Sequence, residues 1–308
     1  MVVLISVFFL VMLGCTITSP IPRQIDLLQR LPLHTVSIHG NRIVYLDEGE
    51  GRPLILIHGF GGAIWNWEHQ QHDLAQSYRV ITLDLLGSGL SAKPHIAYTP
   101  VALLNFFLDF MDHLGLEQAV LIGNSIGAGL AMSMALQHPD RVASLVLITG
   151  LPAHIQDSLV SAQHKAFLES RPPLWLAKMG NWFLGRWLSK KVLSKVIHNP
   201  YRLTSLVIER SYQNRSTPGF LHALFSLADH LGEWEQNFAP RISSITHPTL
   251  ILWGSEDGVF PPSVGETLHR MIPHSVLKII SDSGHMPQWE NPLQVNQAIR
   301  QFLATPVP

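Results

Sequence analysis

From about residue 34 onward, short aliphatic or β-branched runs alternate with longer stretches of helical periodicity. The runs are HTVSIH (34–39), RIVYLD (42–47), PLILIH (53–58), YRVITLD (78–84), AVLIGN (119–124), SLVLIT (144–149), PTLILWG (248–254) and SVLKII (275–280). The first two alternate apolar and polar positions around Gly40-Asn41, which predicts a hairpin. Most of the others are unbroken apolar runs, as expected of strands buried on both faces of a parallel sheet. Helical patterns fall at about 66–76, 100–114, 126–138, 262–272 and 291–303. Strands alternating with helices predict an α/β fold: a mostly parallel, eight-stranded sheet with helices on both faces.

The alternation stops between residues 149 and 248, an interval too long for a loop. It contains LWLAKMGNWFLGRWLSKKVLSKVI (174–197) and PGFLHALFSLADHL (218–231), both helical in pattern. Residues 152–225 therefore read as an inserted helical lid, and 34–151 with 226–308 as the core. Trp175, Trp182 and Trp187, with Lys178, Arg186, Lys190, Lys191 and Lys195, would suit a membrane surface. However, Gly180 and Gly185 interrupt the stretch, and the charges spread too widely around a helical wheel for one polar face. The expectation is that this segment packs over an apolar pocket.

Composition alters that picture at the N-terminus. MVVLISVFFLVMLGCTIT, residues 1–18, carries no charged side chain. Its length suits the apolar part of a secretory signal, although no Lys or Arg stands near the start. As a spanning helix it sits at the lower limit for a bilayer core. Residues 1–33 read as an apolar signal or anchor with a proline-containing linker, which predicts export or membrane anchoring. Met12-Leu13-Gly14-Cys15 resembles a bacterial lipoprotein cleavage box, with Met where Leu is usual, so a lipoprotein at Cys15 is the finer expectation. The alternative is a cytoplasmic enzyme with a mis-assigned start. Cys15 is the sole cysteine, so no intrachain disulfide can form. Charged residues make up 14%, below the roughly 25% of soluble domains, which implies much apolar surface. With 21 Lys+Arg against 22 Asp+Glu, nothing points to nucleic acid. The 17 histidines are scattered, His69 and His72 read as a solvated helix face, and no metal site is expected.

Gly123-Asn124-Ser125-Ile126-Gly127 fits G-x-S-x-G, with a predicted strand before it and a small-residue helix after it. A sharp turn that exposes a nucleophile brings neighbouring backbone close, and only glycine lacks the side chain that would clash. A serine hydroxyl needs a base, and the base needs an acid to orient it. In this architecture acid and histidine follow the serine, at carboxyl ends of strands. ILWGSEDGVFPP offers Asp257 there, and IISDSGHMPQWENP offers His285. Glu256 is the competing acid, and Asp282 reads as a turn former. An oxyanion hole needs two backbone donors. Ile126 N–H, just after the serine, and Phe60 N–H, in His58-Gly59-Phe60-Gly61-Gly62, are the candidates; His58 itself reads as structural.

Together HGFGG, DLLGSGLS (84–91), GNSIG, the Asp257 loop and GHMPQWENP resemble the α/β-hydrolase superfamily over about residues 34–304. The resemblance implies Ser125, Asp257 and His285 as the triad, Phe60 and Ile126 as oxyanion donors, and a structural turn at Asp84. A serine at the nucleophile position counts against haloalkane dehalogenases and epoxide hydrolases, which use Asp. It also implies attack of Ser125 on a carbonyl carbon and an acyl-enzyme, without metal or organic cofactor. An apolar lid with Trp65, Trp67 and Phe60 near the mouth favours a small apolar ester as partner. The segment RLTSLVIERSYQN (202–214) resembles meta-cleavage carbon–carbon hydrolases, in which case Arg210 would grip a substrate carboxylate; a surface ion pair is its plainer role. A binding receptor on the same fold is the third reading.

Overall fold

A computed structural model of the chain describes residues 32–305. The apolar leader and Cys15, which carry the export and lipidation expectations, lie outside the described residues. Among the described residues no helix is long and apolar enough to cross a membrane.

The strands are β1 (His34–Ile38), β2 (Asn41–Glu48), β3 (Pro53–Ile57), β4 (Arg79–Leu83), β5 (Ala119–Asn124), β6 (Val142–Ile148), β7 (Thr249–Gly254) and β8 (Ser275–Ile280). They form one eight-stranded sheet in the order β1-β2-β4-β3-β5-β6-β7-β8. The β1–β2 and β2–β4 pairs are antiparallel, and the other five are parallel. The hairpin turn lies one residue earlier than the pattern predicts. Ile38 pairs with Asn41, and the two loop residues are His39 at φ 49° and Gly40 at φ 76°. Both adopt the left-handed conformation that a two-residue hairpin loop with strand-matching twist requires.

The helices are α1 (Glu68–Ala75), α2 (Pro100–His113), α3 (Ile126–Gln137), α4 (Ile155–Ser158), α5 (Ala162–Glu169), α6 (Leu174–Val196), α7 (Ser205–Ser216), α8 (Phe220–Asp229), α9 (Leu231–Asn237), α10 (Pro262–Met271), α11 (Pro287–Glu290) and α12 (Pro292–Ala304). Period-two alternation sorts the central strands between two cores. Ile55, Ile57, Leu121, Leu145, Leu147 and Ile251 join α2 and α3 on one face. Leu54, Leu56, Val120, Ile122, Val146 and Leu252 join Trp67, Leu74 and the α12 residues Val295 and Ile299 on the other. Each such fully buried aliphatic side chain contributes roughly 1.5–3 kcal/mol relative to exposure, so the unbroken apolar runs are what hold the sheet. The insertion between β6 and β7 runs through α4 to α9, and Ala223, Leu231, Trp234 and Phe238 return it to the main core.

Candidate active site

The sheet delivers three loops to its carboxyl edge. β5 ends at Asn124, and Ser125 follows at φ 54°, ψ −116° before α3 begins. That conformation costs about 1–3 kcal/mol for a non-glycine residue and persists only where the surroundings impose it. Here the Ser125 amide donates to the Ile148 carbonyl at 3.0 Å, and its own carbonyl accepts from the Ala128 amide at 2.9 Å. Gly123 and Gly127 are sterically required. A Cβ on Gly123 would overlap the backbone of Gly127 and Ala128, and one on Gly127 would overlap the Ile57 and His58 carbonyls. The glycine pair thus lets α3 start against the end of β3, where the HGFGG loop begins.

After β7, Asp257 is buried, and its Oδ1 accepts from the amides of Val259 at 2.8 Å and Phe260 at 3.0 Å. Its Oδ2 lies 2.8 Å from Nδ1 of His285, in the loop after β8. The competing carboxylates are placed otherwise: Glu256 is exposed, and Asp282 faces solvent at φ 53°. The His285 backbone is clamped as firmly as its ring. Its amide donates to the Val196 carbonyl at the end of α6 at 2.7 Å. Its carbonyl accepts from Asn124 Nδ2 at 3.1 Å and from Thr149 Oγ1 at 2.9 Å. Glu290, also buried, accepts from the Gly284 amide at 2.8 Å and from those of His198 and Asn199 at 2.8 and 2.9 Å. Burial raises its pKa despite those three donors. Asn124, Thr149 and Glu290 were not singled out from the sequence. Their work is to hold backbone carbonyls and amides, which leaves no spacing signature, although Asn124 lies within GNSIG and Glu290 within GHMPQWENP.

The HGFGG loop lies beside the elbow. Among the described residues, the amides of Phe60 and Ile126 donate to no backbone acceptor. His58 is buried, with Nδ1 2.9 Å from the Gly59 carbonyl and Nε2 accepting from Leu85 N–H at 3.1 Å; burial lowers its pKa. That is a neutral structural histidine. Asp84, fully buried, accepts from the amides of Ile64 and Leu90 at 2.7 Å each, and so ties the β4 turn to the glycine loop.

Ser125, His285, Phe60, Ile126 and Trp65 all line one cavity of about 320 Å³. Its walls are mostly aliphatic and aromatic, with Leu188 and Val192 of α6 and Phe167 of α5 supplied by the insertion. Four polar side chains from the insertion also reach it: Gln163, His164, Ser211 and Arg215. Burial, and secondarily the His285 ring, pushes His164 down to about 4. Such a cavity can bind an apolar group and exclude water around a nucleophile.

A family model described as the alpha/beta hydrolase fold matches residues 52–292. The chain is an α/β hydrolase. The hydrolase is 30% identical over 270 residues to 2-hydroxymuconate semialdehyde hydrolase of Pseudomonas sp. (strain CF600), covering 84% of this chain and 89% of that one. The structure of an N-acyl homoserine lactone degrading enzyme is 29% identical with a TM-score of 0.69, covering 87% of this chain and all of the other. That of a membrane phospholipase A is 25% identical with a TM-score of 0.75, covering 98% and 97%.

Three sequence expectations need correction in the hydrolase. Arg210 does not line the cavity: it is 3% exposed, and its Nη1 meets both oxygens of Glu68 at 3.0 Å. The Glu68 carboxylate also accepts from Trp289 Nε1 at 2.9 Å. Arg210 is thus neither a free grip for a substrate carboxylate nor a surface pair: it is the buried half of an ion pair whose carboxylate stays partly exposed. Removing Glu68 would leave the Arg210 guanidinium buried without its partner, at a cost of about 3 kcal/mol, whereas Glu68 alone could turn to solvent. Trp67 lies in the core under the sheet, away from the mouth, because its position in the turn before α1 points it the other way from Trp65. Third, α6 is one unbroken helix despite Gly180 and Gly185, and Trp175, Trp182 and Trp187 are 64%, 78% and 55% exposed. The pocket-facing side of α6 is Leu188, Val192 and Val196, one helical turn apart.

Proposed function

We propose that this hydrolase cleaves carboxylic esters with an apolar acyl or alcohol group, through an acyl-enzyme on Ser125. The observation that carries the reading is the buried Asp257–His285 pair, at 2.8 Å, whose histidine lines the same apolar cavity as a serine held at φ 54°. With Nδ1 committed to Asp257, His285 keeps Nε2 for the serine proton. Ser125 Oγ then bonds to the ester carbonyl carbon, and the negative charge forms on the carbonyl oxygen. The amides of Phe60 and Ile126 are the donors for that charge. Collapse expels the alcohol, which takes the proton from His285. Water, deprotonated by His285, attacks the acyl carbon and releases the acid and free Ser125. The similarity to a lactone-degrading enzyme and to a membrane phospholipase A supports an ester-type bond.

Carbon–carbon bond hydrolysis with the same three residues is the second reading, favoured by the similarity to 2-hydroxymuconate semialdehyde hydrolase. A panel of nitrophenyl esters of increasing acyl length, run beside a dienol diketone, decides between them. Turnover of the esters with preference for longer chains is the expected result; faster turnover of the diketone overturns it. Ser125→Ala should lower ester turnover by about 10⁴-fold or more with the fold intact. Labelling of Ser125 by a fluorophosphonate without turnover of any substrate would instead mark a receptor.

A further inference from the structure

Helix α6 is built inside out for a helix in water. Its buried positions are Asn181, Gly185, Ser189 and Leu193, a stripe of mostly small or polar residues at four-residue spacing. That stripe lets α6 lie close against α7: Gly185 faces the Tyr212 ring, and Asn181 Nδ2 donates to Ser216 Oγ at 3.2 Å. The large apolar side chains point the other way. Trp175, Met179, Trp182, Phe183 and Trp187 are 46–78% exposed, and they adjoin one another at three- and four-residue steps. A contiguous apolar surface of this kind is uncommon on a monomeric soluble protein and marks an interaction site.

We infer that the outer face of α6 docks on an anionic lipid surface. Charge selects that occupant. The 23 residues of α6 hold Lys178, Arg186, Lys190, Lys191 and Lys195 and no acidic residue, in a chain of net charge −1. Arg186 is engaged by Glu209 at 2.7 Å, but among the described residues none of the four lysines forms an ion pair. A second copy of this chain would set lysine against lysine across the patch. An anionic bilayer takes both features: the indoles enter the headgroup region, and the lysine stems lie along it with their ammonium groups among the lipid phosphates. Lys191 already stands 5.0 Å over the Trp187 ring, an arrangement that places a cation at the edge of the aromatic surface. Because Leu188 and Val192 of the same helix wall the cavity, docking brings the lipid surface next to the cavity wall. The inference stands on the helix alone and does not depend on which bond the hydrolase cleaves.

The test uses the full chain with Cys15→Ser, so that one introduced cysteine carries an environment-sensitive fluorophore. Trp182→Cys reports the patch, and Glu117→Cys, exposed at the opposite edge of the sheet from Ser125, is the control. In vesicles of phosphatidylcholine mixed with phosphatidylglycerol, the label at 182 should shift to the blue and be quenched by doxyl lipids, and the label at 117 should not. Replacing Lys178, Lys190 and Lys191 by Gln should leave ester turnover in solution unchanged and remove the response to phosphatidylglycerol. The expected weakening is about fivefold per lysine removed. Equal quenching at 182 and 117 overturns the inference. So does a blue shift at 182 without vesicles, which would mean that a second copy or the leader covers the patch.

Discussion

Ten of the twelve residues of α3 are buried, and four of the twenty-three of α6. Neither helix shows a clean apolar stripe, and the reasons are opposite. In α3 the absence of a polar face follows from burial: it follows the elbow, and Ala128, Ala131 and Met132 have no solvent on any side. In α6 the large apolar residues face outward, because close packing on α7 requires small ones inside. The chemistry divides along the same line. Groups near Ser125 are fixed by several bonds each, as with His285, whose ring, amide and carbonyl are all engaged. Among the described residues, Trp175, Trp182 and Trp187 on the outer face of α6 have no hydrogen-bond partner.

If burial separates the two helices, a charge placed in each should separate them most. Ala131→Asp, at a position with no exposed surface, should cost at least about 3–5 kcal/mol and leave little folded protein by urea titration. Survival of that variant with normal stability would break the comparison. Next in size is Glu290→Gln, at the seam between the insertion and the core. Its carboxylate accepts three backbone N–H groups, and an amide must turn its own NH₂ toward at least one of them. The expected loss is about 2 kcal/mol, with a lower kcat, since the His285 loop and the exit from α6 share that anchor. Unchanged kcat and stability would show that the seam does not position His285.

How far the sequence revealed this arrangement depends on what each residue contacts. The sheet was legible because strands buried on both faces must be apolar throughout, and β5 is buried at all six positions. The elbow was legible because sterics leave glycine as the one residue for positions 123 and 127. Asp257 could be preferred to Glu256 only by its place in the chain; the structure adds the reason, a pair of amides that hold one oxygen while the other meets His285. The hairpin slipped by one residue because His39 takes a left-handed conformation usually left to glycine or asparagine. Arg210 and the lid tryptophans were misplaced for a shared reason. Periodicity shows that a segment is helical, but the partner that decides which face turns inward comes from elsewhere: Glu68 for Arg210, and Tyr212 for α6.

The cavity wall supplies a smaller, pH-dependent contrast. His164 is held near 4 in the folded protein and titrates near 6.5 when unfolded. Between those values the unfolded chain binds a proton that the folded one refuses, so stability is full above about 6.5 and falls as the pH drops toward 4. The slope from this one group is at most about 1.4 kcal/mol per pH unit. His164→Gln should flatten that part of a urea-stability profile, and an unchanged profile would remove His164 as its source.

The smallest expected effect on stability is the most informative about α6. Trp182 is 78% exposed, so Trp182→Glu gives up little buried area and strands no charge. Its stability should stay within about 0.5 kcal/mol of the parent, against several for Ala131→Asp, although the exchange of an apolar side chain for a carboxylate is harsher on paper. A cost of several kcal/mol at Trp182, measured by the same urea titration, would mean that the indole is covered in solution and that the outer face of α6 helps to fold the protein. A neutral result means that folding does not require the indole at 182, and its presence must be explained by what the face meets.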